Sequence, residues 1–311
     1  MKLKTVKAYN DPIAAVGERV LVVGGTQGIG QGVAERFARA GAEVWIVGRN
    51  ATLASGVLSN MKTLSQSSKA KEEVQHRFFK ADLSLIVETE RLAKEIIAEA
   101  GSRGVDYLIL CQGGPPNGLY VPTVEGNDRH YAVQVLSRFV ITYRLTEGDD
   151  PVVKNSVMAI MAPGYTISDF DDLELVKARE NGKFGILLAG KRDSTVIDAV
   201  TEEFSSRIKN IRFMHLFPGA VRTSFARNSE LPWILTVLST LVLPFIGRSK
   251  EEYAEIPFYL LAVPEGRELT ATYDTHLWNE NVEPIKPHLN TLKPENREKI
   301  WNHLISKLNS S

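Results

Sequence analysis

Three closely spaced glycines after an apolar run form the clearest chemical signal in the chain. Residues 20–30 spell VLVVGGTQGIG, in which Gly24, Gly28 and Gly30 follow a β-rich run and precede a helical pattern. Glycine lets the backbone turn tightly and lets a pyrophosphate approach, while the following helix offers free N–H groups and its positive dipole end. The loop predicts a dinucleotide-binding site. The residues between these glycines are predicted to line the same site: Thr26, Gln27 and Ile29.

The end of the second predicted strand suggests which dinucleotide binds. Gly48, Arg49 and Asn50 follow the run 44–47. An acidic residue near this point holds the ribose 2′-hydroxyl in NAD-specific sites, whereas an arginine can make a two-pronged contact with a 2′-phosphate. We therefore expect NADP(H), bound in part by Arg49 and Asn50. The alternative is that Arg49 is a solvated loop residue.

The elements that must position these residues alternate between short β-rich runs and longer helical patterns. Most of the β-rich runs are nearly continuous apolar segments, as expected of parallel strands covered on both faces. Ile29, Val33 and Phe37 recur at helical spacing. The pattern predicts an α/β fold, a Rossmann-type doubly wound parallel sheet flanked by helices in a single domain. The predicted strands are 19–23, 44–47, 76–80, 107–111, 157–161 and 212–217.

The composition is that of an ordinary globular protein and excludes several classes of function. The chain has 311 residues, with 43% hydrophobic and 24% charged. Its 37 basic and 37 acidic residues balance, so nothing indicates a nucleic-acid partner. Cys111 is the single cysteine, which rules out an internal disulfide, and the N-terminus lacks a signal-peptide core. We expect a cytoplasmic protein, and the histidine spacings predict no metal site.

In its motifs and their order, the chain resembles the short-chain dehydrogenase/reductase family. The Gly-x-x-x-Gly-x-Gly spacing is that family's, and further landmarks follow over roughly residues 18–275. Within the family the chain is most similar to a divergent group of fungal proteins with a GGT-x-GIG loop and a KADLSL segment. The resemblance implies cofactor contacts from the pairs Asp82-Leu83 and Gln112-Gly113, and from Pro218, Val221 and Thr223.

The same resemblance locates the catalytic positions, where two of the expected residues are missing. The family uses a serine, a Tyr-x-x-x-Lys pair and a helical asparagine. Here Met161 or Ala162 stands at the serine position, Leu187 at the tyrosine position and Gln134 at the asparagine position, whereas Lys191 is retained. The resemblance implies that Lys191 binds the cofactor ribose, and the alternative is a surface lysine on a helix. Leucine cannot exchange a proton, and general acid–base help is typically worth about 10²–10⁴-fold.

Several other residues could replace the missing donor. Tyr165 follows the serine position at the edge where doubly wound sheets bind ligands, so it is the first candidate, against a role in packing. Three other groups each have a catalytic and a structural interpretation. The carboxylates Asp169, Asp171 and Asp172 could act as bases or cap a helix. His130 and Tyr131 could line the pocket or pack in the interior, and Gln134 could orient a substrate carbonyl or be a buried structural amide. His215, inside a predicted strand, is expected to be a core histidine.

The rest of the chain is divided as follows. Residues 1–17 are an N-terminal extension, 18–275 the dinucleotide-binding domain and 276–311 a helical tail. Within that tail, 294–308 is predicted to be a helix with Ile300, Trp301, Leu304 and Leu308 on one face. The apolar segment 224–247 falls where the family builds its substrate lid, and it suits a hydrophobic small-molecule substrate.

The apolar run 233–247 within that segment has a second interpretation. It is shorter than the roughly 20 residues that cross a bilayer, and Pro244 interrupts it. We expect a buried or lid helix, with peripheral membrane contact as the alternative. Family resemblance also implies a homo-dimer or tetramer.

Three functions remain open from the sequence. The first is an NADP(H)-dependent oxidoreductase with an atypical site, acting on a hydrophobic carbonyl, imine or alcohol. The second is a redox-neutral cyclase or isomerase that retains NADP(H). The third is a non-catalytic NADP(H)-binding sensor or scaffold.

Overall fold

The predicted α/β alternation is confirmed by a computed structural model, which describes residues 1–66, 74–113, 118–222 and 247–309. The strands are β1 (Arg19–Val23), β2 (Glu43–Gly48), β3 (Arg77–Lys80), β4 (Val105–Leu110), β5 (Val153–Ile160), β6 (Arg212–Leu216), β7 (Val221–Arg222), β8 (Arg248–Ser249) and β9 (Leu277–Trp278). The helices before β5 are α1 (Leu3–Asn10), α2 (Gly28–Arg39), α3 (Ala51–Gln66), α4 (Ile86–Ala100), α5 (Arg129–Tyr131) and α6 (Ser137–Thr146). Those after β5 are α7 (Val176–Glu180), α8 (Ile186–Arg207), α9 (Lys250–Ala262), α10 (Pro264–Thr272), α11 (Leu289–Leu292) and α12 (Pro294–Asn309).

Seven of these strands form one sheet in the order β3-β2-β1-β4-β5-β6-β9, and every neighbouring pair is parallel. β1 pairs with both β2 and β4, so the chain winds outward from it in both directions. In such sheets the ligand crevice opens at the carboxyl ends of the strands where the winding reverses. That point lies at the ends of β1 and β4.

Alternate strand residues build an apolar layer on each face of the sheet. Leu21 and Val23 belong to a buried cluster that also includes residues of α4, α6, α8 and α12. Val20 and Val22 belong to a second buried cluster that includes residues of α2, α3 and α9. Burial on both faces explains why these strands are continuous apolar runs in the sequence.

The C-terminal region adds a strand that the sequence did not predict. Leu277 and Trp278 pair in parallel with His215 and Leu216 of β6, and both are fully buried. The sheet therefore extends past the predicted domain boundary at residue 276. A two-residue strand between polar residues is too short for apolar periodicity to reveal it. β5 also begins earlier than predicted, at Val153, in a polar stretch that pairs with β4.

The predicted tail helix is confirmed as α12, and its buried residues are Ile300, Trp301, Leu304 and Leu308. Trp301 packs edge-on against Phe139 and Phe204, with ring centroids 5.3 and 5.1 Å away. The tail thus closes the layer formed by α6 and α8. Within the described ranges, no helix is long and apolar enough to span a membrane. The predicted lid and the apolar run 233–247 lie outside these ranges except for Gly247.

Replacing Trp301 with alanine tests whether α12 holds this layer together. The side chain is only 8% exposed, and truncating a buried aromatic residue typically costs about 3–5 kcal/mol. We expect Trp301→Ala to lower the free energy of unfolding in urea by roughly that amount. Leu289→Ala, at a position 80% exposed on α11, is the control and should change it by less than about 0.5 kcal/mol. Equal effects of the two substitutions would contradict this role.

Candidate active site

The glycine loop after β1 is packed so closely that side chains are excluded at two of its positions. Gly24 has a φ of +78°, and a Cβ atom there would lie 2.7 Å from the backbone nitrogen of Gln112. A Cβ atom on Gly30 would lie 2.2 Å from the carbonyl oxygen of Gly24. The sequence has glycine at both positions because the loop must lie against the end of β4 and against the first turn of α2. The result is the backbone cradle that a pyrophosphate requires.

The start of α2 is open to a ligand. The helix begins at Gly28, and the side chain of its N-cap residue Gln27 does not cap it. The N–H groups of the first turn, at Gly28, Ile29 and Gly30, have no acceptor within the helix. Thr26 is almost fully buried beside Gly48. Together these features fit the phosphates of a dinucleotide, which the helix dipole would also favour.

The two residues predicted to bind at the end of β2 differ in their local roles. Arg49 is exposed, and its side chain makes no ion pair or hydrogen bond with any described residue. The Asn50 side-chain oxygen accepts a hydrogen bond from the N–H of Leu53 at 3.0 Å, so Asn50 caps α3. Arg49 is therefore free to meet an anionic group, whereas the Asn50 side chain already has a structural partner.

The loops after β3 and β4 hold the next predicted cofactor residues. Asp82 accepts hydrogen bonds from the N–H and hydroxyl of Ser84, at 3.1 and 2.8 Å, which shapes the turn beside buried Leu83. Gln112 is buried, and its Nε2 donates to the Ser137 hydroxyl at 3.1 Å. Its Oε1 has no hydrogen-bond partner among the described residues. An acceptor of that kind in the cradle fits a hydroxyl or amide donor of a bound dinucleotide.

The segment after β6 is only partly described. Pro218 is half-buried, and Val221 begins β7, which pairs with Arg248 and Ser249 of β8. Thr223 and the predicted lid up to residue 246 lie outside the described residues. The contacts predicted for Pro218, Val221 and Thr223 stay predictions.

Lys191 and Leu187 occupy one exposed face of α8, one helical turn apart. Leu187 is 81% exposed, which is unusual for a leucine, and Lys191 is exposed beside it without a described partner. The Ser194 hydroxyl donates to the carbonyl oxygen of Ala162 just beyond β5, so this part of α8 lies at the carboxyl edge of the sheet. The serine position itself is occupied by the half-buried, apolar residues Met161 and Ala162.

Gln134 lies in a π-helical turn, Ala132–Leu136, between α5 and α6. Such turns are rare and occur frequently at functional sites. Gln134 is half-buried, and its Nε2 would lie 3.8 Å from a Cβ atom placed on Gly113. The side-chain amide therefore faces the end of β4, next to the predicted cofactor loop.

One helical turn after Gln134, the buried Arg138 side chain contacts the carboxyl ends of β4 and β5. Its guanidinium donates to the carbonyl oxygens of Leu110 and Gln112 at 2.6 Å each, and to that of Ile160 at 3.3 Å. Burial lowers the pKa of Arg138 to about 10, which leaves it charged at neutral pH. Sequence reasoning missed this residue. The available signal was an arginine directly before the apolar run Phe139–Ile141 of this helix.

Tyr165 lies in the loop after β5 and is 47% exposed. Its backbone oxygen accepts a hydrogen bond from Thr291, while its phenol has no partner among the described residues. The loop is held by Asp198, which accepts the Gly164 N–H at 2.8 Å and pairs with His215 at 2.7 Å. His215 and Asp198 are fully buried, as predicted for a core histidine. The catalytic role of Tyr165 stays a prediction.

The run of aspartates that follows has structural partners. Both carboxylate oxygens of Asp172 accept N–H groups at the start of α7, at 2.7 and 3.1 Å. Asp169 and Asp171 pair at the surface with Lys177 and Lys299. Of the two interpretations, the structure supports a cap and surface ion pairs, and not a base cluster.

A buried charge cluster joins the helix that carries Gln134 to the helix that carries Lys191. The His130 imidazole lies 2.7 Å from the carboxylate of Asp193, which also binds Arg192 at 2.5 Å. Burial would lower the pKa of His130, but Asp193 outweighs it and the net pKa is raised. Burial would raise the pKa of Asp193, but Arg192 and His130 lower it overall.

The other residue considered on this helix is part of the core. Tyr131 is fully buried with the Arg192 guanidinium 4.1 Å from its ring centroid, and burial raises its pKa. Tyr131 and His130 therefore sit in the helix–helix contact. Arg192 and Asp193 were missed because their contacts with Tyr131 and His130 join positions that are distant in sequence.

Comparison with known proteins agrees with this architecture. The short chain dehydrogenase family model matches residues 18–146. Oxidoreductase AN1596 from Emericella nidulans is 27% identical over 288 residues, which covers 87% of this chain and 83% of that protein. Human retinol dehydrogenase 12 is 24% identical over 239 residues, covering 76% and 70%.

A solved structure shows the same fold. The short chain dehydrogenase from Burkholderia cenocepacia, crystallised in complex with NADP, superposes with a TM-score of 0.57 at 20% identity, over 84% of this chain and 95% of that one. At that identity the likeness concerns the fold alone. The family model, the fungal relative, the fold and the glycine cradle agree, and they make this chain similar to the short-chain dehydrogenase/reductase family, whose cofactors are NAD(P)(H).

Proposed function

We propose that this protein is an NADP(H)-dependent oxidoreductase that acts on a lipophilic carbonyl, imine or alcohol. The observation that carries the proposal is the meeting of three features at one sheet edge. They are the side-chain-excluding cradle at Gly24 and Gly30, the exposed Lys191 and the half-buried amide of Gln134. A dinucleotide bound along this edge would bring its nicotinamide towards Lys191 and Gln134.

The choice of NADP(H) rests on Arg49. It is exposed and free of described partners at the end of β2, where NAD-specific sites carry an acidic residue. A free guanidinium suits the doubly charged 2′-phosphate, with which it can form two parallel hydrogen bonds. The Burkholderia cenocepacia neighbour, whose structure contains NADP, is consistent with this choice.

A lipophilic substrate is supported by the exposure of Leu187 and by the composition of the predicted lid. Leu187 exposes 81% of its surface on the α8 face that also carries Lys191. The segment 224–247 is rich in leucine, isoleucine, valine, phenylalanine and tryptophan. A human relative is named for retinol, a lipophilic alcohol. Apolar walls with a few polar groups are typical of small-molecule sites.

The described residues of this chain could stabilise negative charge on the substrate oxygen. They include no obvious donor for the proton that a carbonyl substrate needs. The nicotinamide would supply or accept the hydride. The Lys191 ammonium would hold the ribose, and Gln134 Nε2 would donate a hydrogen bond to the substrate oxygen. Leu187 contributes no proton, so the proton reaches the product from solvent or from the Tyr165 phenol. Imines that are already protonated and activated enones would react more readily than simple ketones.

Leu187 also favours a second candidate, a redox-neutral cyclase or isomerase that retains NADP(H). An apolar side chain at the acid position would shape a hydrophobic intermediate without protonating it. A non-catalytic NADP(H) sensor is the third. The expectations of a homo-oligomer and of a cytoplasmic location stay predictions.

Transfer of isotope from the cofactor tests the proposed function. The protein is incubated with NADPH that carries two deuterium atoms at C4 and with a panel of lipophilic aldehydes, ketones, enones and cyclic imines. We expect deuterium in at least one product by mass spectrometry. Gly30→Ala should abolish the transfer because its Cβ would lie 2.2 Å from a carbonyl oxygen, whereas Gly56→Ala, in open space on α3, should not.

The outcomes of this experiment separate the three candidates. Deuterium in the product of the wild type and of Gly56→Ala supports the oxidoreductase. A substrate that changes without label would establish the redox-neutral enzyme instead. NADPH binding without any chemical change across the panel contradicts both enzymatic proposals and favours the sensor. Circular dichroism of Gly30→Ala shows whether its loss of activity is a loss of folding.

Replacing Arg49 tests cofactor choice. Charge-assisted hydrogen bonds contribute about 1.5–3 kcal/mol, so we expect Arg49→Ala to weaken NADPH binding by roughly 10–100-fold. NADH binding should change by less than about twofold, because NADH has no 2′-phosphate. Fluorescence titration measures both affinities. Arg39→Ala, exposed at the opposite end of α2, is the control, and tighter binding of NADH than of NADPH by the wild type would refute the preference.

Restoring a phenol at position 187 tests the missing acid. Leu187→Tyr places a hydroxyl one turn before Lys191 on an exposed face, where the larger side chain meets little obstruction. We expect kcat for a ketone substrate to rise by about 10²-fold or more, as general acid catalysis typically gives. Leu187→Phe adds the same ring without the hydroxyl and should give no gain. Equal rates in the two variants would show that proton donation at this position does not limit turnover.

A further inference from the structure

A buried cation without a carboxylate partner lies directly beneath the candidate site. Arg138 is 2% exposed, and no salt bridge in the described part of the chain involves it. Its Nε also lacks a partner among the described residues. A buried charge is costly to retain, and an apolar side chain of similar size would avoid that cost. The position therefore calls for an explanation beyond packing.

The guanidinium is held where two neighbouring strands end. Nη1 donates to the carbonyl oxygen of Leu110 and Nη2 to that of Gln112, both at 2.6 Å. Nη2 also reaches the carbonyl oxygen of Ile160 on β5 at 3.3 Å. These contacts fix the cation in position relative to β4 and β5.

The same Nη2 lies 3.5 Å from Oε1 of Gln134. A guanidinium has donors only, so the amide oxygen must face it and the amide NH₂ must point away. Nε2 is directed towards the end of β4, near Gly113. The cation thus decides which end of the Gln134 amide is presented to the site.

We propose that Arg138 is a positioning residue that orients and polarises Gln134 as the hydrogen-bond donor to the substrate oxygen. This inference rests on the proposed oxidoreductase function. When hydride reaches the carbonyl carbon, the C=O π electrons move to the oxygen, and the amide N–H stabilises the negative charge that develops there. A fixed donor of this kind is worth about 10²–10³-fold in kcat, and a cation on the amide oxygen strengthens it.

A second set of hydrogen bonds prevents the Gln112 side-chain amide from donating to the substrate oxygen. Gln112 Nε2 donates to the Ser137 hydroxyl, which donates to the carbonyl oxygen of Val133 at 2.7 Å. The two side-chain amides at the edge are therefore treated differently. The Gln112 NH₂ is bonded to the Ser137 hydroxyl, whereas the Gln134 NH₂ lies near Gly113 and has no partner among the described residues.

A double-mutant cycle tests the coupling, with a carbonyl compound that acquires deuterium in the transfer assay as substrate. We expect Gln134→Leu to lower kcat by about 10²–10³-fold and Arg138→Met by about 10–100-fold, each with NADPH affinity changed by less than about threefold. If Arg138 acts through Gln134, the double variant should be no slower than Gln134→Leu alone. Losses that multiply would overturn the proposal. Arg144→Met, at a half-buried position of α6 where the arginine pairs with Glu90, is the control and should keep the wild-type kcat.

A measurement without turnover keeps the inference separate from the proposed function. In protein labelled with ¹⁵N-glutamine, the NH₂ signal of Gln134 is assigned by its loss in Gln134→Leu. We expect its exchange with water to rise at least tenfold in Arg138→Met, and to rise less in Arg138→Lys, which keeps a cation. An unchanged signal in a folded Arg138→Met protein would overturn the positioning role even if hydride transfer occurs. A changed signal in a protein without hydride transfer would leave the orientation of Gln134 established and would contradict its catalytic use.

Discussion

At the carboxyl edge of the sheet, backbone carbonyl and N–H groups no longer have hydrogen-bond partners on a neighbouring strand. The candidate site depends on side chains that supply these missing hydrogen bonds. Buried carbonyl and N–H groups without partners are costly. Arg138 supplies donors to three carbonyl oxygens at the ends of β4 and β5. Ser194 supplies a donor to the carbonyl oxygen of Ala162, two residues beyond β5, and Asp198 accepts the N–H of Gly164. These three side chains come from α6 and α8, so both helices are fixed over the edge where a ligand would bind.

The need for these hydrogen bonds also decides which side chains remain available for chemistry. The hydroxyls of Ser137 and Ser194 already donate to backbone carbonyls, and Asp198 is paired with His215. His130 and Asp193 are paired with each other in the contact between the two helices. None of these groups can serve a substrate without giving up a structural bond. The Gln134 NH₂, the Lys191 ammonium and the Tyr165 phenol lack such commitments among the described residues.

The sequence predicted the parts of this arrangement that depend on local pattern. The strand positions and the buried face of α12 follow from apolar periodicity, and the cradle follows from glycine spacing next to a strand. It did not predict β9, whose two residues carry no period, or the capping role of Asn50. The bonds of Arg138 to the strand carbonyls and the His130–Asp193 pair join residues between 22 and 63 positions apart. No local rule connects such residues, although an arginine directly before an apolar run was a warning of a buried network.

In the proposed oxidoreductase, with Leu187 at the acid position, a site built in this way would hold charge on an atom but would not readily deliver a proton to it. The amide of Gln134 keeps its hydrogens, because its pKa lies far outside the physiological range, whereas the tyrosine of the family's usual site gives up a proton to the product. Charge stabilisation and proton delivery are separate contributions to the barrier, each worth several powers of ten. A chain that keeps the first and lacks the second should discriminate between substrates by their need for a proton. A cationic imine becomes a neutral amine on accepting hydride and needs none, whereas a ketone must be protonated after reduction. The leucine at position 187 therefore bears on substrate class as well as on rate.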